Sequence, residues 1–419
     1  MLDPNIQAVR AEPRLQPRSR GSWCNYSGMG GVSTSTVMET ETKHPAARRR
    51  DARVIAILVV AGLWTLLHVY VGQRLLGQTP LAPGWRLLGW MGILLLVLAP
   101  FVALVAGRTE GLPAKRGLEV AGFTAMGLSS LLIVFALAGD ALHARAWLGV
   151  GGFQLAVVGG AVVVLVMGLW LARRPATVRV VDVPITGLPS DLEGFRIAQL
   201  SDLHVGATLK RDFVERVVDT TNGLEPDVIA LTGDVADGFP PALRNDVAPL
   251  AGLVAPHGKF FVTGNHEYYW DAAGWVRELQ GLGFSALVNG HQVIRRGAGR
   301  IVLAGVTDLS SGGLPGHISD PAAAVAGAPE SDVRVLLAHQ PKSAFAARAA
   351  GYDLQLSGHT HGGQYFPFNL LVRLFQPFVA GLHRLEAMWL YVSRGTGYWG
   401  PPLRLGAPAE ITLIQLVRA

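Results

Sequence analysis

An α/β domain preceded by four membrane-spanning helices is the fold class this sequence predicts, and three observations carry the prediction. Four long runs with hardly any charge fall within the first 172 residues. From residue 175 onward, short β-branched runs alternate with helical stretches. Five of those short runs end in histidine, aspartate or asparagine. Of 419 residues 50% are hydrophobic and only 16% are charged, a balance far from that of an ordinary soluble protein.

Residues 1–50 are rich in proline, serine, threonine, glycine and arginine without periodicity, which predicts disorder. Met29 and Met38 are alternative translation starts within them, and the single cysteine, Cys24, excludes an intrachain disulfide. The apolar runs cover residues 54–73, 87–106, 118–138 and 148–172, so the membrane region is set at 51–174 and the following domain at 175–419. Each run is close to the ~20 apolar residues that a bilayer-spanning helix needs. A single such run could be a buried helix of a soluble core, but four with so little charge argue for a membrane.

Charge at the flanks orients the spans. Arg48, Arg49, Arg50 and Arg53 precede the first, Arg108, Lys115 and Arg116 lie between the second and third, and Arg173 and Arg174 follow the fourth. The opposite loops carry Arg74 and Arg86, then Arg145 with Asp140. The side richer in arginine and lysine faces the cytoplasm, which places the domain after Arg174 there. The formal charge of +6 is otherwise scattered, so the basic cluster reads as a membrane flank and no nucleic-acid partner is expected. His68 and Asp140 lie near run ends, where headgroups solvate them, and no function is assigned to either.

After Pro175, strands are expected at 178–183, 196–200, 228–231, 259–263, 301–306, 333–338 and 354–356, with closing strands at 389–393 and 411–417. Helices are expected at 211–222, 272–282 and 343–350. Mostly apolar strands alternating with helices indicate sheet strands buried on both faces.

Chemistry collects at the strand ends. They read Ser201-Asp202-Leu203-His204, then Thr232-Gly233-Asp234-Val235-Ala236-Asp237, Gly264-Asn265-His266-Glu267, His339-Gln340-Pro341 and Ser357-Gly358-His359-Thr360-His361. Singly, each has a plain alternative: a helix cap, a turn or a satisfied core histidine. Jointly, polar groups at the carboxyl ends of sheet strands share one crevice although they span much of the domain's sequence.

This order of motifs, closing on Gly-His-Thr-His-Gly-Gly-Gln, resembles the calcineurin-like metallophosphoesterase superfamily and its bacterial branch of membrane-associated phosphohydrolases. The architecture also resembles the animal transmembrane proteins with a metallophosphoesterase domain. The resemblance covers residues 177–419 and implies a four-layer α-β-β-α sandwich. It implies two divalent metal ions, one held by Asp202, His204, Asp234 and His361, the other by Asp234, Asn265, His339 and His359, with Asp234 shared. A shared carboxylate keeps two ions about 3.5–4 Å apart, the spacing that suits a bridging hydroxide attacking phosphorus. The mixed nitrogen and oxygen donors point to Mn, Fe or Zn, with Mn favoured by the resemblance.

In the same family reading His266 protonates or stabilises the leaving oxygen. Asp237 and Glu267 are expected behind the ligands, fixing histidine tautomers or capping a helix. Arg394, in Val392-Ser393-Arg394-Gly395, is a tentative contact for the substrate phosphate. The expected protein is a bacterial integral-membrane phosphohydrolase acting on a phosphomonoester, phosphodiester or pyrophosphate. The apolar stretch after the histidine pair, from Tyr365 to Leu385, is read either as a core helix or as a segment facing the bilayer, the latter fitting a lipid-linked substrate. A membrane receptor or transporter that binds metal or phosphate without turnover is the alternative of a different class. The sequence leaves the oligomeric state open.

Overall fold

The computed structural model describes residues 45–419 except 78, 110, 312, 313 and 315, with side chains from residue 54. Of the expected disordered segment, residues 1–44 lie outside the described residues, and the first helix begins at Pro45, inside its expected end. Among the described residues four helices precede the domain: α1 (Pro45–Leu76), α2 (Pro83–Arg108), α3 (Lys115–Ala141) and α4 (Ala144–Ala172). All four are long and apolar enough to cross a membrane. They extend past the apolar runs because polar and charged residues, among them Arg74, Arg108, Lys115 and Arg145, continue the helices into the polar boundary. Leu87, Leu95, Val105, Leu155 and Val163 face outward from them, a surface that is stable only against lipid.

The domain holds two six-stranded sheets. The first is built from β1 (Thr177–Ile185), β2 (Arg196–Leu200), β3 (Val228–Leu231), β4 (Lys259–Phe261) and β5 (Ser285–Ala286). The second holds β6 (Gly290–Arg296), β7 (Gly299–Gly305), β8 (Val333–Leu337), β9 (Leu354–Ser357), β10 (Gly381–Leu385) and β11 (Met388–Val392). The chain then returns to the first sheet as β12 (Glu410–Arg418), between β1 and β2. Neighbours β2, β3 and β4 are parallel, as are β7, β8, β9 and β11. Their carboxyl ends therefore point the same way within each sheet.

Alternation along the strands builds three apolar layers. Ile197, Val228 and Ala230 of the first sheet pack between the sheets on Leu303, Val335 and Leu356 of the second. The other face of the first sheet, with Leu200, Ile229 and Leu231, is covered by α5 (Arg211–Asn222), α6 (Pro240–Val247) and, beyond the short α7 (Asn265–Trp270), α8 (Ala272–Gly281). In α5 the buried positions are Val214, Val217, Val218 and Thr221, the spacing of one helical face. The outer face of the second sheet carries α9 (Pro321–Val325) and α10 (Ala344–Ala349). The result is the four-layer α-β-β-α order.

The domain is also packed onto the spans. Tyr365 and Leu403 join a buried cluster with Leu131 and Val157 of α3 and α4. The Tyr365 hydroxyl lies 3.1 Å from Ser130 Oγ, and the Arg404 backbone N–H donates to Gly168 O at 3.1 Å. The histidine-pair loop is thus held between the second sheet and the membrane helices.

Candidate metal centre

Five strand ends meet in one buried crevice: those of β2, β3 and β4 from the first sheet and of β8 and β9 from the second. Asp202 and His204 leave β2, Asp234 leaves β3, Asn265 and His266 open α7 after β4, His339 follows β8, and His359 and His361 follow β9. Asp202, His204, Asp234, His359 and His361 all have positive φ, between 47° and 71°. Left-handed backbone is costly for residues with a β-carbon and persists where the surroundings enforce it, commonly at functional sites. Space is equally tight. A β-carbon on Gly358 would come within 1.9 Å of Ser201 Oγ and 2.2 Å of Asp202 Oδ2, and one on Gly264 within 2.2 Å of Asp234 Oδ1. Glycine at both positions lets the loops close around the carboxylates.

The donor atoms form two groups. In the first, His204 Nε2 and His361 Nε2 face each other at 3.1 Å, with Asp202 Oδ1 at 3.4 Å from His361 and Asp234 Oδ2 at 3.8 Å from His204. In the second, His339 Nε2 lies 3.1 Å from Asp234 Oδ2 and 3.2 Å from Asn265 Oδ1, which is itself 2.9 Å from His359 Nδ1. Asp234 Oδ2 belongs to both. All seven expected ligands are brought together, and His266 also falls within reach of His204 and Asp234. Ring nitrogens and carboxylate oxygens converging without a proton donor for each pair are a set that cations satisfy.

Charge states suit ligation at His359 and His361, whereas at His339 burial is outweighed by Asp234 and the imidazole is held well above its ordinary value, so that a cation there would displace a proton. Burial, followed by the charge on His339, pushes His359 down to about 3, and burial with His204 and Arg404 holds His361 well below the usual range. Both imidazoles are therefore neutral, as a metal ligand requires. Burial works against the Asp234 charge, but His339 and His266 outweigh it and hold that carboxyl well below its ordinary value.

Behind the donors stand the orienting groups. Asp237 Oδ1 lies 3.1 Å from His204 Nδ1 and 2.5 Å from His266 Nδ1, turning the Nε2 atom of each ring toward the crevice. The His339 Nδ1–H donates to Thr232 O at 2.7 Å, to the same effect. Glu267 caps α7 by accepting from Gly264 N at 2.6 Å and also accepts from Asp234 N and Val235 N. Both expected roles, tautomer fixing and capping, are present. Glu267→Ala strands three buried N–H groups at about 1–3 kcal/mol each. We expect a clear fall in the midpoint of chemical unfolding, with weakened Mn binding because the Asp234 turn loses its anchor.

Arg394 lies apart from the donors in its bonding. Its guanidinium donates to Glu410 Oε2 at 2.9 Å, and its backbone N–H to Glu410 Oε1 at 3.0 Å. A second arginine, not anticipated, is Arg404, only 1% exposed. It donates to the carbonyls of His361, Arg394 and Ala407, which pins the histidine-pair turn against the 394–407 loop. Its one signal in the sequence is a lone charge in the apolar run Pro401-Pro402-Leu403-Arg404-Leu405. Asp308 was also missed: it is buried beyond β7 and accepts from Gln340 Nε2 at 2.9 Å. Applying the strand-end rule to residues 301–306 finds it. The rings of Tyr269 and Trp399, centred 5.0 and 5.5 Å from that of His266, had no sequence signal.

Residues 195–363 match the family model described as calcineurin-like phosphoesterase. A Danio rerio transmembrane protein with metallophosphoesterase domain is 41% identical over 266 residues, covering 61% of each chain. An uncharacterized metallophosphoesterase of Campylobacter jejuni is 36% identical over 270 residues, covering 63% of this chain and 69% of that one. One from Aquifex aeolicus is 35% identical over 234 residues, covering 55% of this chain and 87% of the relative. The chain spans only 61% of the length of the Danio rerio relative and of a similar one from Bos taurus.

Proposed function

The chain belongs to the calcineurin-like phosphoesterase family, and on that premise we propose that it is a membrane-bound phosphohydrolase with two divalent cations, Mn favoured over Fe or Zn. Its substrate is a phosphomonoester, phosphodiester or pyrophosphate. The observation that carries the reading is the pair of donor groups sharing Asp234 Oδ2. When bound, two such ions acidify water and neutralise phosphoryl charge.

The chain's own residues do the rest. Asp202, His204, Asp234 and His361 form one donor group, and Asp234, Asn265, His339 and His359 the other. His266 protonates the leaving oxygen: Asp237 holds its Nδ1, leaving Nε2, 4.0 Å from Asp234 Oδ2, free to face the substrate. Burial disfavours its charge, but Asp234 and Asp237 prevail and raise it to about 9. Two nearby cations would bring that value back toward neutrality, where a proton donor works best. Arg394 reaches the substrate phosphate by releasing Glu410. Full turnover in Arg394→Ala would remove it from the site.

We place the hydrolase domain at 175–419, after a membrane region (51–174). A 175–419 fragment that takes up Mn as a folded unit supports that boundary, and one that aggregates without binding rejects it. The domain side of the spans carries Arg108, Lys115, Arg116, Arg173 and Arg174, which favours a cytoplasmic domain at a bacterial cell membrane. Cleavage of the domain by protease added to intact cells would reverse that orientation.

A lipid-linked substrate fits the segment after the histidine pair. Helix α11 (Phe368–Leu371) has no buried residue, and Leu374 and Phe375 beyond it are 76% and 71% exposed. Such a surface beside Tyr365, which packs into the spans, suits the bilayer boundary better than a core.

The test is Mn-dependent hydrolysis of an aryl phosphomonoester and an aryl phosphodiester by the detergent-solubilised full chain, beside Asp234→Asn and His266→Gln. Hydrolysis well above Asp234→Asn is expected, and above His266→Gln by a margin that narrows as the aryl leaving group becomes more acidic. Two ions bound without hydrolysis would favour the metal-binding receptor.

A further inference from the structure

We infer that the leaving group of the substrate carries an apolar chain, and that this chain lies in a cavity between α2, α3 and the aromatic rim of the metal centre. The inference rests on the phosphohydrolase reading and names the substrate class for that same site. The cavity, about 190 Å³, is lined by His266, Tyr269, Trp270 and Trp399 from the domain and by Leu104 and Phe123 from the spans, among others. One wall is therefore the proton donor and the other is membrane helix.

Three features say what fills it. Its lining includes both His266 and Leu104, and Leu104 is exposed on α2 beside Phe101 and Val105, so the same cavity touches the proton donor and an apolar helix surface of the membrane region. Tyr269 and Trp399, 54% and 42% exposed, flank His266 at the mouth; amphipathic rings of this kind settle at the headgroup level of a membrane. Charged side chains in the lining are Arg108, Glu119 and Asp237. The Arg108 guanidinium lies over the Trp270 ring, 5.1 Å from its centre, which gives that cation an aromatic partner within the lining.

The position of His266 assigns the chain to the leaving group and not to the part that stays on phosphorus. In hydrolysis the oxygen of water becomes bonded to phosphorus while the bond from phosphorus to the chain-bearing oxygen breaks. The proton of His266 ends on that oxygen, which departs as an alcohol, and the proton released by water restores His266. The atom that receives the proton must lie next to His266, and His266 lines this cavity.

The experiment uses the full chain, loaded with Mn, in micelles of an uncharged detergent. Butyl and dodecyl phosphate and their methyl diesters are presented at equal mole fraction, and alcohol release is measured. Each methylene moved out of water is worth up to about fourfold, so a preference for dodecyl of at least about tenfold in kcat/KM is expected. Leu104→Trp and Phe123→Trp, which fill the cavity from either helix, should each reduce the preference severalfold, and butyl turnover in the same samples reports that the centre is intact. A chain that merely enriches substrate in the micelle would keep its preference in both variants, and that result overturns the inference. Equal turnover of butyl and dodecyl esters by the wild type also overturns it while leaving the phosphohydrolase reading in place. Turnover of none of the esters, with Mn bound, refutes that reading and this one with it.

Discussion

Asp234→Asn is expected to release at least one of the two proposed Mn ions and to lower hydrolysis by roughly 10²–10³-fold or more, the scale for losing one buried electrostatic stabiliser. The side chain keeps its shape. Its Oδ1 can still accept the backbone N–H of His266, now 2.8 Å away, so the turn into α7 should persist. What is lost is the negative charge that both donor groups share at Oδ2, which His339 Nε2 approaches to 3.1 Å and His204 Nε2 to 3.8 Å. Metal analysis of the purified variant reads the stoichiometry, and the aryl ester assay reads the rate. An asparagine variant that retains two ions and full turnover would show that the shared carboxylate is not what holds them.

His266→Gln separates chemistry from assembly. Its side chain belongs to neither proposed donor group, so Mn content should stay at the wild-type level while kcat falls about 10²–10⁴-fold, the usual worth of a positioned proton donor. The loss should shrink on esters whose leaving oxygen is already acidic, such as nitrophenyl, because these need no proton. A uniform loss across leaving groups would instead mean that the histidine acts through structure, a course open to it through Asp237, which touches both His266 and His204.

Much of this was legible in the sequence because it follows from local rules. Long uncharged runs, the step from helical to alternating patterning near Pro175, and the ends of five strands each declare themselves within a few residues. The seven candidate ligands were therefore found before their meeting place was known. That Asp202 and His361 would meet, 3.4 Å apart across 159 positions, depended on two sheets closing over one core. No single strand reports that, and it came from the resemblance.

What the sequence hid depends on tertiary placement. Arg404 looks like a surface charge until Tyr365 and Leu403 are seen packed into the spans, which buries the loop it pins. Arg394 looked free in a glycine-rich turn, yet Glu410, at the start of β12, returns to it from 16 residues on. The short β5 and β6, the partner of the expected strand β7, escaped because polar and glycine residues interrupt their alternation. Helix α7, six residues long, is set by its cap and not by periodicity. The apolar stretch after the histidine pair had two readings, and only its exposure beside the membrane helices separates them.

The measurement that bears most directly on a two-metal phosphohydrolase is a titration of the metal-free full chain with Mn while phosphoester hydrolysis is followed. Two donor groups sharing Asp234 predict that turnover appears with the second equivalent of Mn and saturates there. Full turnover at one equivalent, or two equivalents bound with no hydrolysis of any ester, would contradict it.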